Sequence, residues 1–201
     1  MPRSDSARNT REDVVSAALG ILDQQGLPDL TMRHLATTLG VAASALYWHF
    51  PNKQTLLAAV SDRIIAGARP PAPADDWRSA VRGEAAALHD ALLAYKDGAE
   101  VVSSTLALGL GGSGLQRRLA VAIGGGGFDD QTADLAAETM VHFIVGHAFH
   151  RQQRIQADSL GAVAEPHSLD HADPTAPQAF DLGITLLVAG LESQARLAGG
   201  G

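Results

Sequence analysis

Residues Leu30–Lys53 read LTMRHLATTLGVAASALYWHFPNK, and this stretch decides the fold. Thr31 is a good N-cap, because its side-chain oxygen accepts from a backbone N–H that the first helical turn leaves free. Leu35, Ala36 and Leu39 recur at helical spacing and form one apolar face. Gly40 stands where that helix must stop and the chain reverse, a position that often requires positive φ. Val41 plugs the turn against the core. Ala43–His49 then predicts a second short helix with Leu46 inward, and Pro51 prevents it from continuing. Two short helices joined by a tight turn are a helix-turn-helix layout, which predicts sequence-specific DNA binding.

The flanks complete a three-helix head. Thr10 reads as an N-cap with Asp13 at the capping-box position, and a helix follows to about Gln25. Its apolar face is Val14, Val15, Ala18, Leu19 and Leu22, and Gly26 is its expected C-cap. A linking helix is predicted over 52–68, with Leu56, Leu57, Val60 and Ile64 inward. Arg69-Pro70-Pro71-Ala72-Pro73 ends it, and a proline-rich run is stiff and extended. Beyond it the pattern predicts helices near 75–95, 99–108, 115–123, 131–153 and 178–196, with a polar loop over 154–175. Gly124–Gly127 must be a loop or helix break. No segment alternates as a strand does. The expected fold is all-α, with a helix-turn-helix domain in 1–53 and a second, helical body in 69–201.

Bulk properties agree. The chain has 201 residues, 46% hydrophobic, enough for a head and a medium body with a real core. Cysteine is absent, which removes disulfides and thiolate chemistry. No signal-peptide pattern appears, and no apolar run approaches the roughly 20 residues of a membrane span, so cytoplasm is the expected compartment. The formal net charge is -7, but it is unevenly spread: up to Arg69 the basic residues slightly outnumber the acidic ones. An acidic body on a near-neutral head fits a protein whose small N-terminal part meets DNA.

At Leu46-Tyr47-Trp48-His49-Phe50-Pro51-Asn52-Lys53 the chain resembles the end of the recognition helix in tetracycline-repressor-like (TetR family) regulators. Thr31–Ala36 and the Leu39-Gly40-Val41 turn fit the same pattern. Leu92–Val101, LLAYKDGAEV, resembles the segment linking two ligand-domain helices in the tetracycline repressors themselves. The resemblance implies a repressor released by a small-molecule effector, and a homodimer formed through a four-helix bundle of the last two major helices. Those helices are apolar on more than one face, which by itself asks for a second partner surface. A twofold dimer presents two recognition helices to a pseudo-palindromic double-stranded DNA operator.

The residues expected at DNA are Thr31, Arg33, His34, Ala43, Ser44, Ala45, Tyr47, Trp48, His49 and Lys53. The resemblance places a base-reading side chain at Arg33, and an Arg fork meets guanine O6 and N7 together. Tyr47 and His49 can donate to phosphates, and Lys53 reaches one from the start of the linking helix. For Trp48 both core packing and backbone contact are open. The first turn of the recognition helix, Ala42-Ala43-Ser44-Ala45, carries few groups that can bond a base, so part of the specificity is expected from DNA shape.

In the body, Glu84, Leu88, Val102, Thr105, His142 and His147 are expected to line the effector site. The resemblance argues against the magnesium–drug mode of tetracycline repressors. The position of their metal-binding imidazole, counted from Asp97-Gly98-Ala99, is Val102, and that of their drug-gripping amide, counted from Trp77, is Glu84. His142, His147 and His150 share one predicted helix. His147 and His150 share a face, whereas His142 lies off it by roughly 140°. No metal site and no cofactor are expected; pocket lining or dimer packing suits these histidines better, while His167 and His171 fall in the predicted loop. The glycine runs lack the Lys-Ser/Thr of a phosphate loop, which leaves them as flexible breaks near a pocket mouth. Nothing in the sequence points to catalysis. The alternative to a regulator is an all-α metal-binding or protein-interaction module with a head that does not read DNA.

Overall fold

The computed structural model describes residues 9–159 and 176–198, and among them forms nine helices and no strand. The all-α expectation holds. The head begins with α1, Arg11–Gln25. Its N-terminus is closed by the expected capping box: Asp13 N–H donates to Thr10 Oγ1 at 3.2 Å, and Thr10 N–H donates to Asp13 Oδ2 at 2.7 Å. Gly26 ends α1 at φ 92°. Helix α2, Met32–Thr38, starts at Thr31, whose hydroxyl accepts from His34 N–H at 3.1 Å. Gly40 turns the chain at φ 66°.

The recognition helix α3 is Ala43–Tyr47, shorter than the predicted Ala43–His49. The N–H groups of His49 and Phe50 both return to the Leu46 carbonyl, at 3.0 and 2.9 Å, so the last turn tightens before Pro51. Leu46 and Phe50 are completely buried beside Leu35 and Leu30. Each such side chain contributes about 1.5–3 kcal/mol. Helix α4, Lys53–Ala66, is capped by Asn52 through a reciprocal box with Thr55. It packs against α1 on one side and against the body on the other, so one apolar core runs through head and body.

The body contains α5 (Trp77–Leu93), α6 (Gly98–Ala107), α7 (Ser113–Gly124), α8 (Asp130–Ser159) and α9 (Ala176–Ala198). Asp76 caps α5 by accepting from Arg78 and Ser79 N–H. Helix α8 runs through Ser159, so 154–159, expected in a loop, is helical. Arg154, Gln156 and Ala157 are good helix formers, and Arg154 meets solvent while the Gln156 amide donates to Asp97, so the helix continues. The remainder of the predicted loop, with His167 and His171, lies outside the described residues, as do Arg3, Arg8 and the Gly199–Gly201 tail.

Two tight corners hold the body. Between α5 and α6, Asp97 adopts φ 56°, and Gly98 follows where a Cβ would lie 2.6 Å from the Leu92 carbonyl oxygen. Gln152 of α8 is buried against this corner. Its Nε2 donates to Leu92 O at 3.0 Å and Tyr95 O at 2.9 Å, and its Oε1 accepts from Ala99 N–H at 3.0 Å. One amide thus satisfies the end of α5 and the start of α6. The second corner is the glycine run after α7. A Cβ on Gly126 would sit 2.7 Å from the Phe128 ring and 2.9 Å from the Trp77 ring, and these two rings meet edge to face. Close approach to an indole, rather than flexibility, accounts for that glycine.

Candidate nucleic-acid interface and effector core

The ten residues expected at DNA all lie between the cap of α2 and the start of α4: Thr31 caps α2, Arg33 and His34 lie on it, Ala43, Ser44, Ala45 and Tyr47 lie on α3, Trp48 and His49 follow α3, and Lys53 opens α4. Arg33, Ser44, Ala45 and Tyr47 are exposed, while Ala43, His49 and Lys53 are half-buried. Trp48 is 89% exposed, so it packs in no core of the described residues. Leu46 and Phe50, one on each side of the Tyr47–His49 segment, anchor that segment from within. Thr31 and His34 are already engaged, the first as a cap and the second with Nδ1 3.0 Å from Asp29 O. The guanidinium of Arg11 lies 4.6 Å from the centre of the Phe50 ring, and Arg63 pairs with Glu12, so both ends of the unit are braced by α1.

The head joins the body through polar contacts as well as apolar ones. Leu27 N–H donates to Asp97 Oδ2 at 2.8 Å, and the other Asp97 oxygen accepts from Gln156 of α8. A Cβ on Gly26 would lie 2.7 Å from Asp97 Oδ2, so glycine admits the carboxylate. Gly112 N–H donates to Asp62 Oδ1 of α4 at 3.0 Å, and Gly111 lies against Ala58 of the same helix. The head therefore rests on the α5–α6 corner and on the loop between α6 and α7.

Inside the body, Leu88 and Val102 are completely buried, and Thr105 nearly so. The Thr105 hydroxyl donates to the carbonyls of Val101 and Val102 at 3.1 and 3.0 Å. Glu84 is paired: Arg118 of α7 reaches it through Nε at 2.8 Å and Nη2 at 2.7 Å, and also donates to Ala68 O. A carboxylate already neutralised in this way is not poised for a cationic ligand. His142 and His150 are exposed, so the structure does not bring them to His147. His147 instead meets His89 of α5, with Nε2 of His89 2.9 Å from Nδ1 of His147. Burial first, then His147 and Arg151, hold His89 down at about 4. No group of three His, Cys, Asp or Glu that could hold a metal forms among the described residues.

Sequence reasoning missed His89, Gln152 and Arg118. Each has a signal in hindsight, because each is a polar residue on an otherwise apolar helical stripe. His89 follows Ala85 by four, Gln152 follows Ala148 by four, and Arg118 stands between Leu115 and Leu119.

A helix-turn-helix head with an exposed aromatic and basic face, carried on a larger all-helical body, defines a DNA-binding transcriptional regulator. Comparison with known proteins narrows the class. The profile for "Bacterial regulatory proteins, tetR family" matches residues 14–60, and that for "Tetracyclin repressor-like, C-terminal domain" matches residues 69–176. The chain belongs to the TetR family. It is 34% identical to the class C tetracycline repressor protein of Escherichia coli, covering 90% of each chain. It is also similar to the crystal structure of Mycobacterium smegmatis BioQ, with TM-score 0.80 and 40% identity over 92% of this chain and 98% of that one. BioQ with its natural double-stranded DNA operator matches at TM-score 0.74 and 39% identity, covering 91% and 98%. A TetR variant from Acinetobacter baumannii in complex with minocycline matches at TM-score 0.73 and 28% identity, covering 92% and 98%.

Proposed function

We propose that this chain is a homodimeric repressor, not an enzyme, that binds a pseudo-palindromic operator in the cytoplasm and leaves it when the body takes up a small molecule. The observation that carries the reading is the exposed Tyr47-Trp48 pair at the end of α3, anchored by buried Leu46 and Phe50. A large aromatic held in water by a rigid helix end suits a DNA backbone, with Arg33, Tyr47 and Lys53 supplying base and phosphate contacts. The remaining predicted contacts, Thr31, His34, Ala43, Ser44, Ala45 and His49, lie in the same unit, and the alanines offer only methyl contact to thymine.

The dimer reading rests on α8 and α9. Leu182 and Leu186, four residues apart on α9, are 59% and 62% exposed, and Leu135 and Ile155 are exposed on α8. Paired across a twofold axis, the Leu182–Leu186 stripe of α9 packs with α8 in the four-helix bundle of the family. Effector uptake would reach the head through the Asp97–Leu27 and Asp62–Gly112 bonds, because both join body loops directly to head backbone or to α4. Leu88, Val102 and Thr105 form the apolar part of the effector core. Val102 has no ligating atom where the magnesium–drug mode needs an imidazole, so a different effector is expected.

The test is selection of genomic fragments by the purified protein at physiological salt. Enrichment of one palindromic sequence, bound by two protomers, is the expected outcome. Absence of enrichment from protein that is folded and dimeric overturns the reading in favour of a metal-binding or protein-interaction module.

A further inference from the structure

Asp97 is the N-cap residue of α6, yet its side chain makes no capping bond to that helix. An aspartate in this place ordinarily accepts from the first free N–H groups of its own helix. Here the residue is 5% exposed and both carboxylate oxygens turn away from α6. Oδ2 accepts from Leu27 N–H of the head at 2.8 Å, and Oδ1 accepts from the Gln156 amide of α8. Lys96 beside it donates to Gln25 O, at the end of α1, at 3.3 Å. Helix α1 has no basic residue in its own last turn, so the body supplies the cation that suits a helix C-terminus. The corner is already held without the Asp97 carboxylate, because Gln152 satisfies Leu92 O, Tyr95 O and Ala99 N–H. Among the described residues Asp97 is also the one non-glycine with positive φ, at 56°, and Gly26 opposite it leaves room for the carboxylate. Backbone on both sides is shaped around one carboxylate that joins the head to α8.

We propose that Asp97 is a positioning residue for operator binding: it fixes the angle of the head on the body, and so the separation of the two recognition helices in the dimer. The proposal rests on the reading of the chain as a dimeric repressor. The apolar contact of α4 with the body is non-directional and by itself lets the head pivot. A hydrogen bond is directional, and two of them at separate places remove the pivot. One joins Asp62 of α4 to Gly112 N–H at 3.0 Å. The other joins Asp97 to Leu27 N–H, just past the end of α1. The second is made by a buried carboxylate, so it is stronger than a bond between neutral groups, and breaking it strands a charge. Because Gln156 holds the other oxygen, the head is referenced to α8, a helix of the dimer bundle. Dimers of this kind read half-sites a fixed number of helical turns apart, so a change in head angle is a change in the spacing they fit. Without the tie, the α2–α3 unit is intact but the register between two such units is lost.

The experiment is fluorescence anisotropy of the full chain with the operator it selects and with two versions of that operator, one base pair longer and one shorter at the centre. The parent is expected to prefer its own spacing. Asp97→Gly removes the carboxylate while permitting the positive φ. It is expected to bind the selected operator about 5- to 150-fold more weakly, the range for coupling between linked sites, and to lose most of the preference for spacing. Asp97→Asn is expected to keep that preference, because its Oδ1 accepts from Leu27 N–H while its amide donates to a turned Gln156 amide. Gln156→Met keeps the Leu27 bond but frees it from α8, and is expected to relax the preference in part. Circular dichroism checks that each variant folds. A folded Asp97→Gly protein with the parent's preference overturns the proposal, whether its affinity is unchanged or is lower by one factor at every spacing, the mark of a structural role alone. If Asp97→Gly does not fold, Gln156→Met decides, and retention of the full preference overturns the proposal. Failure of the parent to bind any operator overturns the regulator reading itself.

Discussion

Gln152→Leu tests whether one buried amide holds the α5–α6 corner. The substitution keeps the side-chain volume and removes three hydrogen bonds, to Leu92 O, Tyr95 O and Ala99 N. The bonds to Leu92 O and Ala99 N are buried, so those backbone groups cannot turn to water. Each buried group left unsatisfied costs about 1–3 kcal/mol, and the Tyr95 bond adds about 1 kcal/mol. Because the three share one side chain and are not additive, the expected total is about 3–5 kcal/mol. For a chain of this size that is a fall in melting temperature of roughly 6–20 °C. The assay is urea unfolding at fixed protomer concentration, since a dimer's stability depends on concentration. A lower midpoint with an unchanged slope is expected. A loss below about 1 kcal/mol refutes the reasoning, because it means the corner's backbone groups find other partners when the amide is gone.

Gly98→Ala is expected to destabilise by about 1–3 kcal/mol in the same assay, because its Cβ meets the Leu92 carbonyl at 2.6 Å and only backbone can yield. Trp48→Ala is expected to leave stability within about 0.5 kcal/mol while weakening operator binding, a separation that a core residue does not show. Lys53→Ala is expected to weaken binding evenly across operator variants and lower the salt slope by about 1, whereas Arg33→Ala is expected to cost about 1–3 kcal/mol and relax preference at one base pair. Acid should weaken the fold through His89. Burial, with His147 and Arg151, holds its folded value at about 4 against 6.5 for the unfolded chain, so only the unfolded chain gains a proton as pH falls from about 6.5 toward 4. Stability contributed by neutral His89 is lost across that window, on the order of 1–3 kcal/mol, and His89→Phe is expected to remove this dependence in urea unfolding at pH 7 and pH 5.

The sequence by itself determined the head and the helical class. Caps, turn glycines and 3.6-residue stripes act over a few residues, so Thr10, Thr31, Gly40 and Asn52 announce their roles locally, and the Tyr47–Lys53 segment carries the family's signature. Helix ends were less legible: α8 continues through 154–159 because polar helix formers hide the boundary, and α3 ends early because Leu46 takes two N–H groups. The tertiary structure decided which polar groups meet. The His89–His147 pair joins positions 58 residues apart, Glu84 and Arg118 are 34 apart, and Gln152 reaches back 60 residues to Leu92. Such pairings depend on how α5, α7, α8 and α9 pack. Local patterning says that a stripe is buried; it does not say which stripe it is buried against. That is why Glu84 read as an acidic pocket residue and His142 as a pocket lining, while the fold pairs the first with Arg118 and leaves the second exposed.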